Sequence, residues 1–254
     1  MKKILLFTVT FISICFSGCI VVNPTDINAV RPEGEQEVFE ISIGEFSKIK
    51  VNGFFNVHYY SEPSNKIKLK TYPNLLENFI FEIIDDELII STLKRINYGS
   101  KETAIVSISM PVLKGLTVDS FGRSPGGFGS VSTFTAVDKI TSDSFSITIA
   151  GAGSGRAELD VYNLIVDVFG AGKLELSGRA GTSVLNLSGA GELSALPLQT
   201  LNTTVNLSGA GTISISCSDN LTINAGGAGS VEYKGTPHVN LNTGGAVSIK
   251  QINY

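Results

Sequence analysis

The sequence predicts an all-β fold: a parallel β-helix, or β-solenoid, with rungs of about 19 residues and Gly-Ala-Gly corners, preceded by a strand-rich N-terminal section. Three observations carry this prediction. Of the 27 glycines among 254 residues, 22 lie from Gly115 onward. Gly-Ala-Gly triplets recur there at a nearly constant spacing, and apolar residues alternate with polar ones on both sides of each triplet.

The triplets mark one corner per rung. They begin at positions that are 19, 19, 20 and 18 residues apart: Gly151, Gly170, Gly189, Gly209 and Gly227. A degenerate copy, Thr243–Gly245, follows. Glycine suits such corners because it tolerates a positive φ and lets neighbouring backbones approach closely.

Each corner is flanked by two short strands. Around Gly189, apolar residues stand at Leu185 and Leu187 before the corner and at Leu193 and Ala195 after it. A period of two is typical of a strand that buries one face. One such unit cannot bury its apolar face alone, whereas stacked units form a continuous core. The repeat therefore predicts glycine-cornered rungs over residues 116–254.

A polar residue precedes most corners by three positions. The set comprises Asp167, Asn186, Asn206, Asn224 and Asn240. Asparagines stacked on successive rungs can form a hydrogen-bonded amide ladder. The same stripe could instead bind a sugar, but we favour the ladder because stacking already accounts for the pattern.

Residues 37–115 form the strand-rich opening section. The strictly alternating segment Lys66–Lys70 places three lysines on one face, as a half-buried or edge strand does. The segments Phe79–Ile84 and Glu87–Leu93 are separated by two aspartates, which predicts a hairpin. We expect this section and the rungs to form one domain, residues 37–254.

The N-terminus is typical of an exported lipoprotein. Two lysines precede the apolar stretch Ile4–Phe16, which is shorter than the roughly 20 residues that a membrane-spanning helix needs. The segment Phe16–Cys19 that follows resembles the lipobox of bacterial lipoproteins. We therefore predict a signal peptide at residues 1–18 and lipid attachment at Cys19.

The segment after the predicted cleavage site, residues 19–36, contains two prolines and no regular periodicity. It predicts a flexible tether between the lipid and the domain. Removal of the signal peptide and acylation of Cys19 leave Cys217 as the remaining thiol, so we expect no disulfide and a Cys217 side chain that points into the core.

Composition argues against several function classes. A formal net charge of -4 gives no electrostatic reason to bind nucleic acid. With only two histidines, the chain offers little for a metal site, and we expect no cofactor. Glu158, Glu175 and Glu192 follow their glycines at different distances, so they should not stack into a catalytic carboxylate cluster. We predict that the protein is not an enzyme.

Several segments resemble the family called putative auto-transporter adhesin, head GIN domain, over residues Glu37–Tyr254. They include Gly53–Val57, Tyr72–Asn78, the hairpin Phe81–Leu93 and the Gly-x-Gly rungs. Phe55 stands where the family motif usually has isoleucine. The resemblance implies an exported β-helical protein of the bacterial envelope.

Lipobox, rungs and resemblance together predict a membrane-anchored cell-envelope lipoprotein that serves as a non-catalytic interaction or adhesion module. The expected location is the outer membrane, on either the periplasmic or the exposed face. The expected partners are the membrane, through the lipid, and an unknown glycan or protein ligand. The alternative is a carbohydrate-binding or carbohydrate-active envelope protein that uses the β-helix face.

Overall fold

The computed structural model describes residues 29–120 and 132–252. The predicted signal peptide and Cys19 lie outside the described residues, so both stay predictions. Within the described ranges, no helix has the length and apolar character needed to cross a membrane.

Strands account for most of the described chain. The first part of the described chain, up to Ala136, contains a 3-10 helix at Pro73–Asn78 and nine strands. The strands are β1 Glu37–Ile41, β2 Lys48–Asn52, β3 Asn56–Ser61, β4 Lys66–Thr71, β5 Phe79–Ile84, β6 Glu87–Thr92, β7 Ile105–Met110, β8 Gly115–Asp119 and β9 Thr133–Ala136. The remaining strands are β10 Ile140–Gly151, β11 Ser154–Gly170, β12 Lys173–Gly189, β13 Glu192–Gly209, β14 Thr212–Gly227, β15 Ser230–Lys234, β16 His238–Thr243 and β17 Ser248–Ile252.

The parallel β-solenoid predicted from the repeat is confirmed, with about six turns and rungs of about 19 residues. Strands β11 to β14 each run from one glycine corner to the next and pair in parallel with their neighbours. Corner glycines pair with corner glycines: Gly170 is aligned with Gly151 on one side and with Gly189 on the other. Apolar side chains from every rung meet in one continuous core.

The corners need glycine for two reasons. Gly189 has a φ of +122°, a conformation that side chains disfavour, and a Cβ there would collide with the carbonyl oxygen of Gly170. That oxygen accepts a hydrogen bond from the backbone N–H of Ala190 at 2.8 Å. Two rungs can therefore bond across the corner only where neither carries a side chain at this position.

The opening section stacks in an order that differs from its order in the chain. Strand β2 pairs in parallel with both β6 and β8, and β3 pairs in parallel with both β7 and β9. The pair β2–β3 thus lies between two pairs that follow it in the sequence. Sequence periodicity gave no sign of this exchange, because each strand reads the same wherever it sits in the stack.

Antiparallel strands cap the N-terminal end of the stack. The hairpin predicted at the two aspartates is confirmed: β5 and β6 pair antiparallel, and Asp85 and Asp86 have φ values of +50° and +65°. The lysine-bearing strand β4 lies between β1 and β7, antiparallel to both, and buries every second residue. Strands β4 and β5 run against the solenoid direction, so the parallel stack ends at β7 and β6, the strands with which they pair.

The family-like segment Gly53–Val57 forms the corner between β2 and β3. Phe55 is fully buried and meets the ring of Phe79 edge-on, with centroids 5.5 Å apart. The motif therefore has a structural role in this chain: it anchors an opening corner in the core.

The described part of the predicted tether is held by the domain. Val30 forms a parallel bridge with Ile96. The Asn74 side chain accepts a hydrogen bond from the backbone N–H of Glu33 at 3.1 Å and donates one to the carbonyl oxygen of Arg31 at 2.8 Å. Residues from Val30 onward are thus fixed to the first layers of the stack, which shortens the expected tether at its C-terminal side.

The opposite end of the stack is open among the described residues. Strand β16 pairs only with β14, and β17 only with β15. Leu241 of β16 is 50% exposed, whereas Ile223, one rung below it, is fully buried. The difference arises because no described rung covers the last one.

Candidate ligand-binding groove

A groove of about 760 Å³ crosses one flank of the solenoid. It touches five successive strands, β11 to β15, and therefore runs along the solenoid axis. We call it the flank groove and define it by six of its lining residues: Asp160, Arg179, Pro197, Leu201, Cys217 and Lys234.

Unequal rung lengths create the groove. The rung from Gly189 to Gly209 is the longest of the set, at 20 residues, and the next one, from Gly209 to Gly227, is the shortest, at 18. All of these corners align, so the difference must be absorbed between corners. The longer rung bulges outward on the flank and the shorter one stays close to the core.

The strand pairing shows where the bulge falls. Ala195 pairs with Ile215 and Gln199 pairs with Ser216, so the three residues Leu196–Leu198 have no partners on the shorter rung. Pro197 fits this position because it has no N–H to donate to a ladder. The step between bulged and unbulged rungs forms a wall of the flank groove.

Hydroxyl groups tie the bulge to the core. The Ser216 hydroxyl donates to the carbonyl oxygen of Leu196 at 2.6 Å, and the Thr200 hydroxyl donates to the carbonyl oxygen of Ser216 at 2.8 Å. The Thr200 oxygen also lies 2.6 Å from the hydroxyl of Thr203, which lies 2.8 Å from that of Ser183. This network supplies polar partners where the regular ladder is interrupted.

The floor of the groove contains the thiol of Cys217. Its side chain is 3% exposed, which agrees with the expected core orientation. Its sulfur lies 3.2 Å from the carbonyl oxygens of Leu201 and Asn220 and donates to them. No histidine lines the groove, so its lining contains no imidazole that could act as a general base for this thiol.

Both ends of the groove carry charge. At one end, the Arg179 guanidinium donates to the Asp160 carboxylate at 2.8 Å. At the other end, Lys234 is exposed and forms no ion pair within the described parts of the chain. The lining thus has one compensated pair and one uncompensated positive charge.

An aromatic ring lies beside the Asp160 end. Tyr162 is 64% exposed, and its ring covers Gly181, which lines the groove. A Cβ at Gly181 would lie 2.8 Å from Cδ2 of this ring. The glycine therefore leaves room for the ring to pack closely against the flank while most of the side chain stays exposed.

The predicted asparagine ladder is confirmed, on a different face from the groove. Asn186 donates to Asp167 at 2.8 Å, Asn206 to Asn186 at 2.7 Å and Asn224 to Asn206 at 2.8 Å. Its last member was predicted wrongly. Asn242, not Asn240, donates to Asn224, at 2.9 Å, because the last corner is Gly245, 18 residues after Gly227, and not Thr243 as the repeat predicted.

The three glutamates considered for catalysis occupy different columns of the solenoid. Glu158 is aligned with Ser177, Glu175 with Arg156 and Glu192 with Lys173. Glu175 and Glu192 instead share Lys173, at 3.2 Å and 3.8 Å. The hydrogen bond to Glu175 and the charge of Glu192 raise the pKa of Lys173.

The histidines do not form a cluster with other metal-binding side chains among the described residues. His58 lies on β3, and burial lowers the pKa of its imidazole, which favours the neutral form. Across the described ranges, no group of three or more histidine, cysteine or carboxylate side chains could hold a metal ion.

Sequence reasoning missed the flank groove. The signal that could have located it was the succession of a 20-residue and an 18-residue rung, which the repeat spacing already contained.

Several solved structures have a fold similar to that of this chain. The chain resembles the crystal structure of a putative adhesin from Bacteroides fragilis NCTC 9343, with 22% identity over 88% of this chain and 100% of that chain, at a TM-score of 0.76. It also resembles a putative lipid binding protein from Parabacteroides distasonis ATCC 8503, with 19% identity over 89% and 100% of the two chains and a TM-score of 0.67. No curated protein matches.

A third similar structure is a putative adhesin from Parabacteroides merdae ATCC 43184, with 19% identity, the same coverage of 89% and 100%, and a TM-score of 0.63. At these identities the likeness is one of fold. The family model covers residues 45–237, most of the chain, and its name indicates an adhesion or binding role in an exported or cell-envelope protein. The chain belongs to the family described as putative auto-transporter adhesin, head GIN domain.

Proposed function

We propose that this chain is a membrane-anchored cell-envelope lipoprotein that acts as a non-catalytic adhesion module and holds its ligand in the flank groove. The observation that carries the proposal is the groove itself, which spans five strands on an otherwise closely stacked solenoid. Its family membership supports an adhesion or binding role.

Rigidity suits the groove to binding. Its lining comes mainly from strands that pair on both sides, and the hydroxyl network fixes the bulge that forms its wall. A surface that is already ordered loses little conformational entropy when a ligand binds. The lining fits a protein that binds its ligand without catalysing a reaction, because the carboxylate among the lining residues, Asp160, forms an ion pair with Arg179.

The described chain enters the domain at the opposite end of the stack from much of the groove. The chain enters the domain at Val30, which bridges to Ile96 beside the first strand pair, β6–β7. The groove begins several strand spacings further along the axis and extends to β15, a distance of about 15 to 35 Å at roughly 4.8 Å per spacing. An acylated Cys19 would thus attach the membrane at the end of the stack where the chain enters, and the groove would lie further from the membrane than that end.

A bead-adhesion measurement tests the proposal. Beads coated with the detergent-purified full chain are applied to intact bacterial cells and to mucin, and Leu201→Glu is compared with Leu241→Glu. These two leucines are 49% and 50% exposed, but only Leu201 lines the groove. We expect adhesion to be lost with Leu201→Glu and kept with Leu241→Glu. Equal adhesion of both variants, or release of sugar from any glycan offered, would contradict the proposal.

A further inference from the structure

We propose that the flank groove binds an extended acidic glycan that lies along the solenoid axis, with one sugar ring on Tyr162 and a carboxylate at Lys234. This inference rests on the proposed function and specifies the ligand of the same site. Length, chemistry of the lining and charge each contribute to it.

The length of the groove fits a short oligosaccharide. Its lining spans strands β11 to β15, which are separated by four spacings of about 4.8 Å and hence extend over about 19 Å. One pyranose unit of an extended chain advances by a similar distance. A tetrasaccharide therefore has about the length of the groove.

The backbone of the flank argues against an extended peptide as the ligand. Peptides that add to a sheet need an unpaired strand edge. Strands β12 and β13 pair with a neighbour on either side, so most of their backbone hydrogen bonds are already made within the solenoid. Within the bulge, only Leu196 and Pro197 lack a partner on both neighbouring rungs, and two residues are too few to offer a ladder to a strand.

The lining also suits a sugar better than an acyl chain. Pro197 and Leu201 give the groove an apolar wall, while Gln199, Ser216 and Ser218 bring amide and hydroxyl groups to the same surface. A pyranose presents both apolar C–H faces and hydroxyl edges, and it can match such a mixed lining. An acyl chain would cover the Gln199 side-chain amide without offering it a hydrogen-bond partner.

Tyr162 provides a platform at one end. The ring packs closely against Gly181, and the side chain is 64% exposed, so part of the ring is open to a ligand. The C–H face of a pyranose packs on such a ring, and the electron-rich aromatic face favours the slightly positive C–H groups. The Asp160–Arg179 pair beside it can hydrogen-bond to the sugar hydroxyls.

Lys234 determines the preferred charge. Arg179 is already paired with Asp160, so the lining keeps one uncompensated positive charge. A carboxylate on the glycan would pair with it. A uronic acid within the chain is therefore favoured over a wholly neutral glycan.

Isothermal titration calorimetry on the full chain in mild detergent tests this inference. The probes are a β-1,4-linked mannuronate tetrasaccharide and the same tetrasaccharide with its carboxyl groups reduced to alcohols. We expect saturable binding of the acidic form, and binding of the reduced form that is about 2- to 5-fold weaker, as for an exposed ion pair.

Variants assign the two ends of the site. Lys234→Gln should weaken binding of the acidic probe by the same factor and leave the reduced probe unchanged, whereas Lys250→Gln, on an exposed lysine of β17 outside the groove, should change neither. Tyr162→Ala should weaken both probes by about 5- to 30-fold. Tyr162→Phe, which keeps the ring, should retain the affinity.

Three outcomes would overturn the inference: no binding of either probe, affinities that Tyr162→Ala and Leu201→Glu leave unchanged, or displacement of the bound probe by palmitate at its own binding stoichiometry. If groove-dependent bead adhesion persists while neither probe binds, the glycan assignment fails and the adhesion proposal stands. If bead adhesion is also independent of the groove, both fail.

Discussion

The side-chain amide of Asn206 donates a hydrogen bond of 2.7 Å to the side-chain oxygen of Asn186 on the preceding rung. Its own oxygen accepts one from Asn224 on the following rung, at 2.8 Å. Asn186, Asn206 and Asn224 are thus each both donor and acceptor, and the column runs in register with the glycine corners. A pattern visible in the sequence becomes a continuous chain of side-chain hydrogen bonds only because the rungs align.

Removing a central member of the ladder should destabilise the domain. Asn206→Ala deletes two hydrogen bonds and leaves half-buried partners on both sides, which we expect to lower the free energy of unfolding by about 1–3 kcal/mol. Urea denaturation followed by circular dichroism measures the effect. Asn240→Ala is the matched control, since Asn240 is exposed and outside the ladder. Equal effects of the two substitutions would show that the ladder adds no stability.

A side chain added at a corner glycine should reduce stability more than one added at the glycine that precedes the next corner. Gly209 has a φ of +128°, and a Cβ there would collide with the carbonyl oxygen of Gly189. We expect Gly209→Val to reduce stability by more than about 1 kcal/mol. At Gly226 a Cβ would meet no atom within 4 Å, so Gly226→Val should be tolerated. Thermal unfolding of both variants measures the difference in stability. Identical midpoints would refute the claim that the corner position requires glycine.

Truncating an apolar side chain should reduce the free energy of unfolding less at the open end of the stack than in its interior. Ile223→Ala removes a fully buried side chain and should cost about 2–5 kcal/mol. Leu241→Ala, one rung further on, removes a half-exposed side chain and should cost less than about 1 kcal/mol. Chemical denaturation of the full chain compares them. A large loss at Leu241 would mean that something outside the described residues covers this end.

The lipid anchor can be tested at its predicted attachment site. Cys19→Ala removes the sulfur through which the lipid would be attached, so we expect the chain to leave the membrane fraction and to lose incorporation of labelled palmitate. Cys217→Ala is the control, because this thiol is buried in the folded domain. A Cys19→Ala chain that remains in the membrane fraction would refute the lipoprotein assignment.

The fold was largely predictable because its determinants are local and repeated. The same apolar alternation recurs around Gly170, Gly189 and Gly209, and a single stacking geometry satisfies all copies. The hairpin at Asp85 was predictable for a related reason, since turn chemistry and flanking strands lie within a few residues.

Features that depend on contacts between distant parts of the chain were not predicted from the sequence. The last rung offers both Asn240 and Asn242 on one strand face, and only the register against β14 selects Asn242. The described part of the tether carries no periodic signal, so its attachment through Val30 and Asn74 depends on contacts with residues far along the chain.

The sequence by itself determined the corners, the rung length, the buried faces and the amide column, because each follows from a short repeated pattern. Tertiary structure decided the rest: the placement of β2–β3 between later strand pairs, the antiparallel cap and the flank groove. The groove shows the reason most clearly. Two rungs of unequal length are unremarkable in a sequence, and they form a binding surface only when aligned corners force the extra residues outward at Pro197.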